Sequence, residues 1–166
     1  MRCSCTRLIG DSGAPLGYSR VFRRPPSFRN ALVQSLAGGN TMVLNRKAFE
    51  LVQRSLARGR CVAHDWWTYQ IVTGAGGRML YSERPDTLYR QHAGNNVGSN
   101  MGLGAAIARI GFVLRGRFRE WNEVNLETLE RCRDLLSPQA LKALDCFLRA
   151  RAGPLPRRIL IVVSGM

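Results

Sequence analysis

The stretch that decides the fold is CVAHDWWTYQIVTGAGG, residues 61–77. Its opening residues, Cys61–Ala63, are apolar or small and predict a short strand. From His64 onward the apolar residues recur at helical spacing, and an acidic residue in the first turn, Asp65, is typical of a helix start. The run Gly74–Gly77 predicts where that helix ends. A strand followed by a helix indicates an α/β protein.

The residues before this stretch predict two further helices and another strand. Ser27 offers a side-chain cap for a helix that runs to the pair Gly38-Gly39. Thr41–Leu44 is a short apolar run typical of a buried strand, and Arg46–Ala57 has the apolar spacing of a helix. Residues 1–26 contain a turn cluster and, later, paired prolines, and they predict irregular structure.

The residues after it predict two strands and then only helices. Arg78–Ser82 and Thr87–Gln91 have the pattern of strands, with a turn at Pro85 between them. A loop rich in Gly and Asn follows over residues 93–104. Beyond it, three segments have helical spacing, and the last of them begins at a strong start signal, Ser137 before a proline: Ala105–Leu114, Glu123–Leu136 and Pro138–Ala150.

Length and composition fit one domain with a helical appendage, since the chain has 166 residues. We expect an α/β part over residues 1–100 and an all-helical tail over residues 101–166. No apolar run is long enough to span a bilayer, and the N-terminus lacks the apolar stretch of a secretory signal. We therefore expect a cytoplasmic location and five free cysteine thiols.

The chain is strongly basic, with 25 Lys and Arg against 11 Asp and Glu and a net charge of +14 at pH 7. This excess predicts attraction to polyanions. One interpretation is a basic module that binds nucleic acid or an anionic membrane without catalysis. The basic residues are spread through the chain and match no nucleic-acid motif. Four arginines form a candidate lipid-facing group: Arg109, Arg115, Arg117 and Arg119.

Three polar clusters stand out by residue type: Gly38–Met42, His64–Trp67 and Tyr89–Asn96. Each also has a purely structural interpretation. The glycines would end a helix, Asp65 would cap one, and His92 would be a hydrogen-bonded loop histidine. Residue type alone leaves both interpretations open.

In this order the three clusters resemble the C-terminal half of family 2 glycosyltransferases, in particular the bacterial rhamnosyltransferase-like branch. That branch has Gly-x-Thr, three apolar residues and Asn-Arg, matched by Gly39–Arg46. It has His-Asp-Trp-Trp, matched by residues 64–67. It then has Tyr-Arg-Gln-His and Asn-x-apolar-Gly, matched by Tyr89–His92 and Asn95–Gly98. The resemblance covers nearly all of the chain.

The resemblance implies an α/β fold, namely the acceptor-side portion of a GT-A glycosyltransferase with a short mixed sheet, followed by the helical tail. It implies inverting transfer of a sugar, with rhamnose favoured, from a nucleotide-sugar donor to a saccharide or lipid-linked acceptor in cell-surface polysaccharide synthesis. Peripheral contact at the inner face of the cytoplasmic membrane would suit such an acceptor. No nucleic-acid partner is expected.

The resemblance assigns Asp65 as the catalytic base, because an inverting reaction needs a group that takes the proton of the acceptor hydroxyl. The helix N-terminus favours its ionised form, whereas the flanking tryptophans oppose it by desolvation. Neighbours on a helix point about 100° apart. We therefore expect one of Trp66 and Trp67 to fill the core and the other to line a cleft as a wall for a sugar ring.

The other implied contacts involve the donor phosphates and the sugars. Arg90 is expected to contact a phosphate through its forked guanidinium, and His92 to contact a phosphate or to hold a metal. The complete set of implied substrate-binding residues is Gly39, Asn40, Thr41, His64, Trp66, Trp67, Arg90, Gln91, His92 and Asn95.

A divalent metal, Mg²⁺ or Mn²⁺, is expected for the complete enzyme, since the family holds one with an Asp-x-Asp motif in its N-terminal half. No Asp-x-Asp motif occurs in the 166 residues. We therefore expect the chain to be a fragment that is weakly active or inactive by itself.

Overall fold

The computed structural model describes residues 1–22, 24–36, 38–91 and 117–152. Two 3-10 turns, Gly39–Thr41 and Arg133–Leu135, lie between the longer elements. The fold is α/β with a small mixed sheet, as the sequence predicts. Its strands and helices are, in chain order, β1 (Arg2–Ile9), β2 (Pro15–Tyr18), α1 (Phe28–Ala31), α2 (Arg46–Leu56), α3 (His64–Gly74), β3 (Leu80–Arg90), α4 (Arg117–Arg131) and α5 (Pro138–Ala152).

The sheet has three strands in the order β2-β1-β3. β2 pairs antiparallel with β1 through a tight turn, in which Gly13 has a φ of 85° that favours glycine. β3 pairs parallel with β1, from Arg2 opposite Leu80 to Ile9 opposite Arg90. The parallel pair needs the long crossover that contains α1, α2 and α3.

β1 is the central strand, so the prediction that residues 1–26 are irregular is wrong. Its residues Cys3–Thr6 are buried one after another, which means that both faces of the strand are covered. A strand covered on both faces has no alternating pattern. The buried run itself consists of cysteine, serine and threonine, and these carry little of the apolar signal by which a strand is predicted.

β3 is one continuous strand rather than the two that the sequence predicts. Ser82 pairs with Ser4, and the next pair is Thr87 with Thr6. Four residues of β3 therefore lie opposite the single residue Cys5. The predicted turn at Pro85 is therefore a bulge inside the strand. The proline is tolerated there because β3 is an edge strand of the described sheet.

Neither of the other two predicted strands forms. Thr41–Leu44 contributes one isolated bridge, between Val43 and Arg2, and Val43 is 64% exposed rather than buried. Cys61–Ala63 is an irregular link. Its Val62 N–H donates to the Asn125 side chain of α4 and not to a neighbouring strand.

α1 starts where the sequence predicts but is one turn long instead of reaching Gly38. The Ser27 hydroxyl accepts from the Asn30 N–H at 3.2 Å, which is the predicted cap. The Ala31 carbonyl, which a longer helix would use internally, accepts from two side chains of α3. Tertiary contacts therefore replace the helical hydrogen bonds at this point.

The later helices form where the sequence pattern predicts them, but some of their ends are shifted. α2 and α3 match their predicted bounds to within a residue or two, and Ser137 caps α5 by accepting from the Ala140 N–H at 3.2 Å. α4 ends at Arg131, short of the predicted Leu136, and continues as a 3-10 turn. The predicted loop over residues 93–104 and the helix over residues 105–114 lie outside the described residues.

One apolar core joins α3 to the two tail helices. Trp67 and Ile71 of α3 pack there with Leu129 of α4 and Leu144 of α5, all fully buried. The predicted division near residue 100 stays a prediction, because no observation tests it. Within the described ranges, no helix is long and apolar enough to cross a membrane.

Thiol reactivity tests the central position of β1. Burial raises the pKa of the Cys3 thiol to about 11 and also raises that of Cys5, whereas Cys146 is exposed on α5. Only the thiolate reacts with iodoacetamide, so at pH 8 Cys3 and Cys5 should react at least ~10-fold more slowly than Cys146. Peptide mass mapping measures this, and urea should abolish the difference. Equal rates in the folded chain would mean that the first residues are irregular after all.

Candidate functional site

Asp65 joins two of the three sequence clusters. It lies in the first turn of α3 and is half-buried. Its Oδ2 accepts from the Gly39 N–H at 3.3 Å, and its Oδ1 accepts from the Trp66 N–H at 2.7 Å. The glycine pair and the His-Asp-Trp-Trp motif therefore meet at this carboxylate.

The turn that contains Gly39 is attached to the sheet as well. The Thr41 N–H and hydroxyl both donate to the Gly38 carbonyl, at 3.0 and 3.1 Å. The Ser4 N–H of β1 donates in turn to Thr41 Oγ1 at 3.3 Å. A chain of hydrogen bonds thus runs from the central strand to Asp65. The structural interpretation of the glycines as the end of a helix is wrong, since α1 ends at Ala31.

Gly39 lies close to the His64 side chain, and its backbone angles do not favour glycine. A Cβ atom at this position would meet His64 Nε2 and would lie 3.0 Å from His64 Cε1. His64 and Asn40 are both exposed beside Asp65. Thr41, the next residue of the turn, is half-buried and bonded toward the sheet.

Both tryptophans are buried, so the expectation that one of them lines a cleft is wrong. Trp66 is 5% exposed and Trp67 is fully buried. The Trp66 indole N–H donates to the Ala31 carbonyl at 2.7 Å, and the Trp67 indole N–H donates to Ser55 Oγ of α2 at 2.9 Å. These two hydrogen bonds hold α3 in place. A direct sugar contact by either remains an untested prediction that this burial does not favour.

Two more side chains of α3 hold the α1 turn. The Gln70 amide donates to the Ala31 carbonyl at 3.1 Å. The Tyr69 hydroxyl accepts from the Ser27 N–H at 2.9 Å and donates to Asn30 Oδ1 at 3.0 Å. Burial raises the pKa of Tyr69 to about 12, so it stays a neutral donor at physiological pH. The sequence analysis missed this role, although Trp66, Tyr69 and Gln70 share one face by their spacing.

Arg90 and Gln91 are not brought to Asp65 by the described contacts. The Arg90 guanidinium donates to the Gly10 carbonyl at 3.2 Å and to the Asp11 carbonyl, in the turn between β1 and β2. Gln91 donates its N–H to the Ile9 carbonyl. Arg90 pairs five residues beyond Ser4 in β1, about 16 Å along the strand. Their predicted phosphate and substrate contacts remain untested.

The described residues do not fit a divalent metal. None of the described ranges contains a group of three or more His, Cys, Asp and Glu side chains that could hold one. His92, the predicted metal ligand, and Asn95 lie outside the described residues. The expected Mg²⁺ or Mn²⁺ therefore stays a prediction for the complete enzyme.

A groove of about 540 Å³ lies elsewhere in the molecule. Its walls are the start of α1, the loop after α3 and the start of α5, and Asp65 does not line it. The candidate site at Asp65 is therefore separate from this groove.

Comparison with known proteins indicates a glycosyltransferase-like protein. A stretch of 74 residues is 31% identical to the dTDP-rhamnosyl transferase RfbG of Shigella flexneri. The matched stretch is 45% of this chain and spans 25% of the length of that relative. No protein-family model matches, and no solved structure matches.

The close approach of Gly39 and His64 predicts a coupled effect on stability. Gly39→Ala should lower the free energy of unfolding by about 1 kcal/mol, because the new methyl group displaces the His64 ring. In a His64→Ala background the same substitution should cost less than about 0.5 kcal/mol. Urea unfolding measures both. Gly10→Ala is the control, since a Cβ there meets nothing closer than 3.8 Å. Equal losses in the two backgrounds would contradict the proposed clash.

Proposed function

We propose that this chain is the acceptor-side part of an inverting, family 2-like glycosyltransferase with Asp65 as its base. The observation that carries the proposal is the hydrogen bond between Asp65 and Gly39, which places two motifs 26 residues apart around one half-buried carboxylate. The partial similarity to a rhamnosyl transferase supports the same class of reaction. The GT-A assignment belongs to this proposal.

The hydrogen bonds of Asp65 suit a base that must keep its orientation. A carboxylate offers about four acceptor positions, and the N–H groups of Gly39 and Trp66 occupy two of them. The remaining positions are available to a hydroxyl of the acceptor. Because both bonds come from backbone atoms, they hold the carboxylate without supplying a competing acid.

The reaction is a single displacement at the anomeric carbon. The acceptor hydroxyl oxygen forms a bond to that carbon while its proton moves to the Asp65 carboxylate. The bond from the anomeric carbon to the diphosphate oxygen breaks, and its electron pair leaves with the nucleoside diphosphate. His64, Asn40 and Thr41 are the nearest candidates to orient the acceptor, because they flank the same turn.

The substrates follow from the relative and the resemblance. We propose dTDP-rhamnose as the donor, since the relative is a dTDP-rhamnosyl transferase, and a saccharide or lipid-linked saccharide as the acceptor. Polysaccharide synthesis at the inner face of the cytoplasmic membrane, with a peripheral membrane contact, is part of the proposal.

Substitution of the base tests the reaction. Asp65→Asn should lower rhamnosyl transfer at least ~100-fold, because the amide cannot take the proton. Its oxygen can still accept an N–H, so the melting temperature should change little. Release of dTDP from dTDP-rhamnose in the presence of acceptor saccharides measures the rate.

Asp86→Asn is the matched control, because Asp86 is a carboxylate on β3 that pairs with Arg2. The assay includes an N-terminal half of a family 2 enzyme, so that the unsubstituted chain transfers measurably. Transfer by Asp65→Asn within about twofold of that rate would rule out Asp65 as the base. A chain that neither transfers nor binds saccharide, yet binds polyanions with a steep dependence on salt, would favour the basic-module interpretation.

A further inference from the structure

A polar stripe on α4 lies against the segment that leads into α3. We use "polar stripe" for Asn122, Asn125 and Thr128, which follow one another at intervals of three residues and are at most 2% exposed. α4 otherwise packs into the apolar core through residues such as Leu129. Burial of polar side chains is unfavourable unless hydrogen bonds compensate for it. Three of them on one face therefore indicate a specific partner.

That partner is the backbone between α2 and α3. Thr128 Oγ1 donates to the Arg60 carbonyl at 2.6 Å, and Asn125 Oδ1 accepts from the Val62 N–H at 3.1 Å. The approach is close, since a Cβ on Gly59 would lie 2.8 Å from Thr128 Cγ2. The link before α3 is thus fixed by side chains of α4.

A second set of contacts holds the same link two residues earlier, at Arg58. The Arg58 guanidinium forms a forked ion pair with Asp134, with Nη2 3.0 Å from Oδ2. Arg58 Nη1 also donates to the Arg131 carbonyl, and Arg131 Nη1 donates to the Arg58 carbonyl, at 3.2 and 3.3 Å. The segment from Arg58 to Val62 is therefore attached to the C-terminal part of α4 and the turn after it.

The start of α3 needs such support. Its N-cap is Ala63, which has no side-chain acceptor for the first N–H groups. The stripe contacts residue 60 through Thr128 and residue 62 through Asn125. In the part of the chain that the structure describes, Asn122 Oδ1 is buried and has no hydrogen-bond partner.

We propose that the polar stripe positions Asp65, with Asn125 and Thr128 acting through the backbone that joins Val62 to α3. The role of Asp65 rests on the proposed function, whereas the positioning does not require that any sugar is transferred. Asp65 is three residues from Val62, so a shift of this link moves the first turn of α3 and its carboxylate. The tail helix α4 is then a functional part of the site.

The Gly39 amide resonance tests this without any substrate, because its N–H donates to Asp65 Oδ2. Thr128→Val keeps the shape but removes the donor, and Asn125→Leu removes the acceptor. Each should increase amide hydrogen exchange at Gly39 by about tenfold and reduce the pH-dependent shift of that resonance. Thr128→Ser keeps the hydroxyl and should restore both values. ¹⁵N-resolved NMR of the whole chain measures them.

Leu144→Val is the control for general loss of stability, because it alters the same core from α5. It should lower the melting temperature and leave the Gly39 amide unchanged. The inference is overturned if Thr128→Val leaves Gly39 as in the unsubstituted chain, or if Leu144→Val changes Gly39 equally. Thr128→Val decides the matter if Asn125→Leu does not fold. Failure of sugar transfer would instead count only against the proposed function.

Discussion

The hydrogen bonds of two buried indole N–H groups fix the position of α3, on which the rest of the fold depends. Trp66 and Trp67 are adjacent on α3 and point about 100° apart, yet both are buried. A buried donor without a partner costs roughly 1–3 kcal/mol, so each indole requires an acceptor on a different side of the helix. The Ala31 carbonyl supplies one and Ser55 Oγ supplies the other. α3 is thereby held between the α1 turn and α2.

This arrangement explains why the candidate site lies at the start of α3. Asp65 lies in the same turn as the buried tryptophans but is only half-buried, and it meets the turn at Gly39 and, through it, the central strand. The link before α3 is held from the other side by α4. The carboxylate itself accepts from the Gly39 and Trp66 N–H groups, whereas β1 contacts the glycine turn and α4 contacts the link.

Residues that belong to the same resemblance in the sequence lie apart in the structure. Arg90 belongs to the same resemblance as Asp65, but its guanidinium contacts the turn between β1 and β2, at the far end of the sheet. Because β3 pairs in parallel with β1 over the full length of that strand, Arg90 lies at the far end of the sheet. The two tryptophans, of which one was expected to line a cleft, are both buried, and each indole N–H has an acceptor inside the protein.

By itself the sequence determined the elements whose signals are local. α2, α3 and α5 follow from apolar spacing and from caps such as Ser137. Only the tertiary structure decided that β1 is the central strand, that α1 stops after one turn, and that α4 holds the link before α3. Each of these depends on a hydrogen-bond partner far along the chain, which no local pattern of residues can specify.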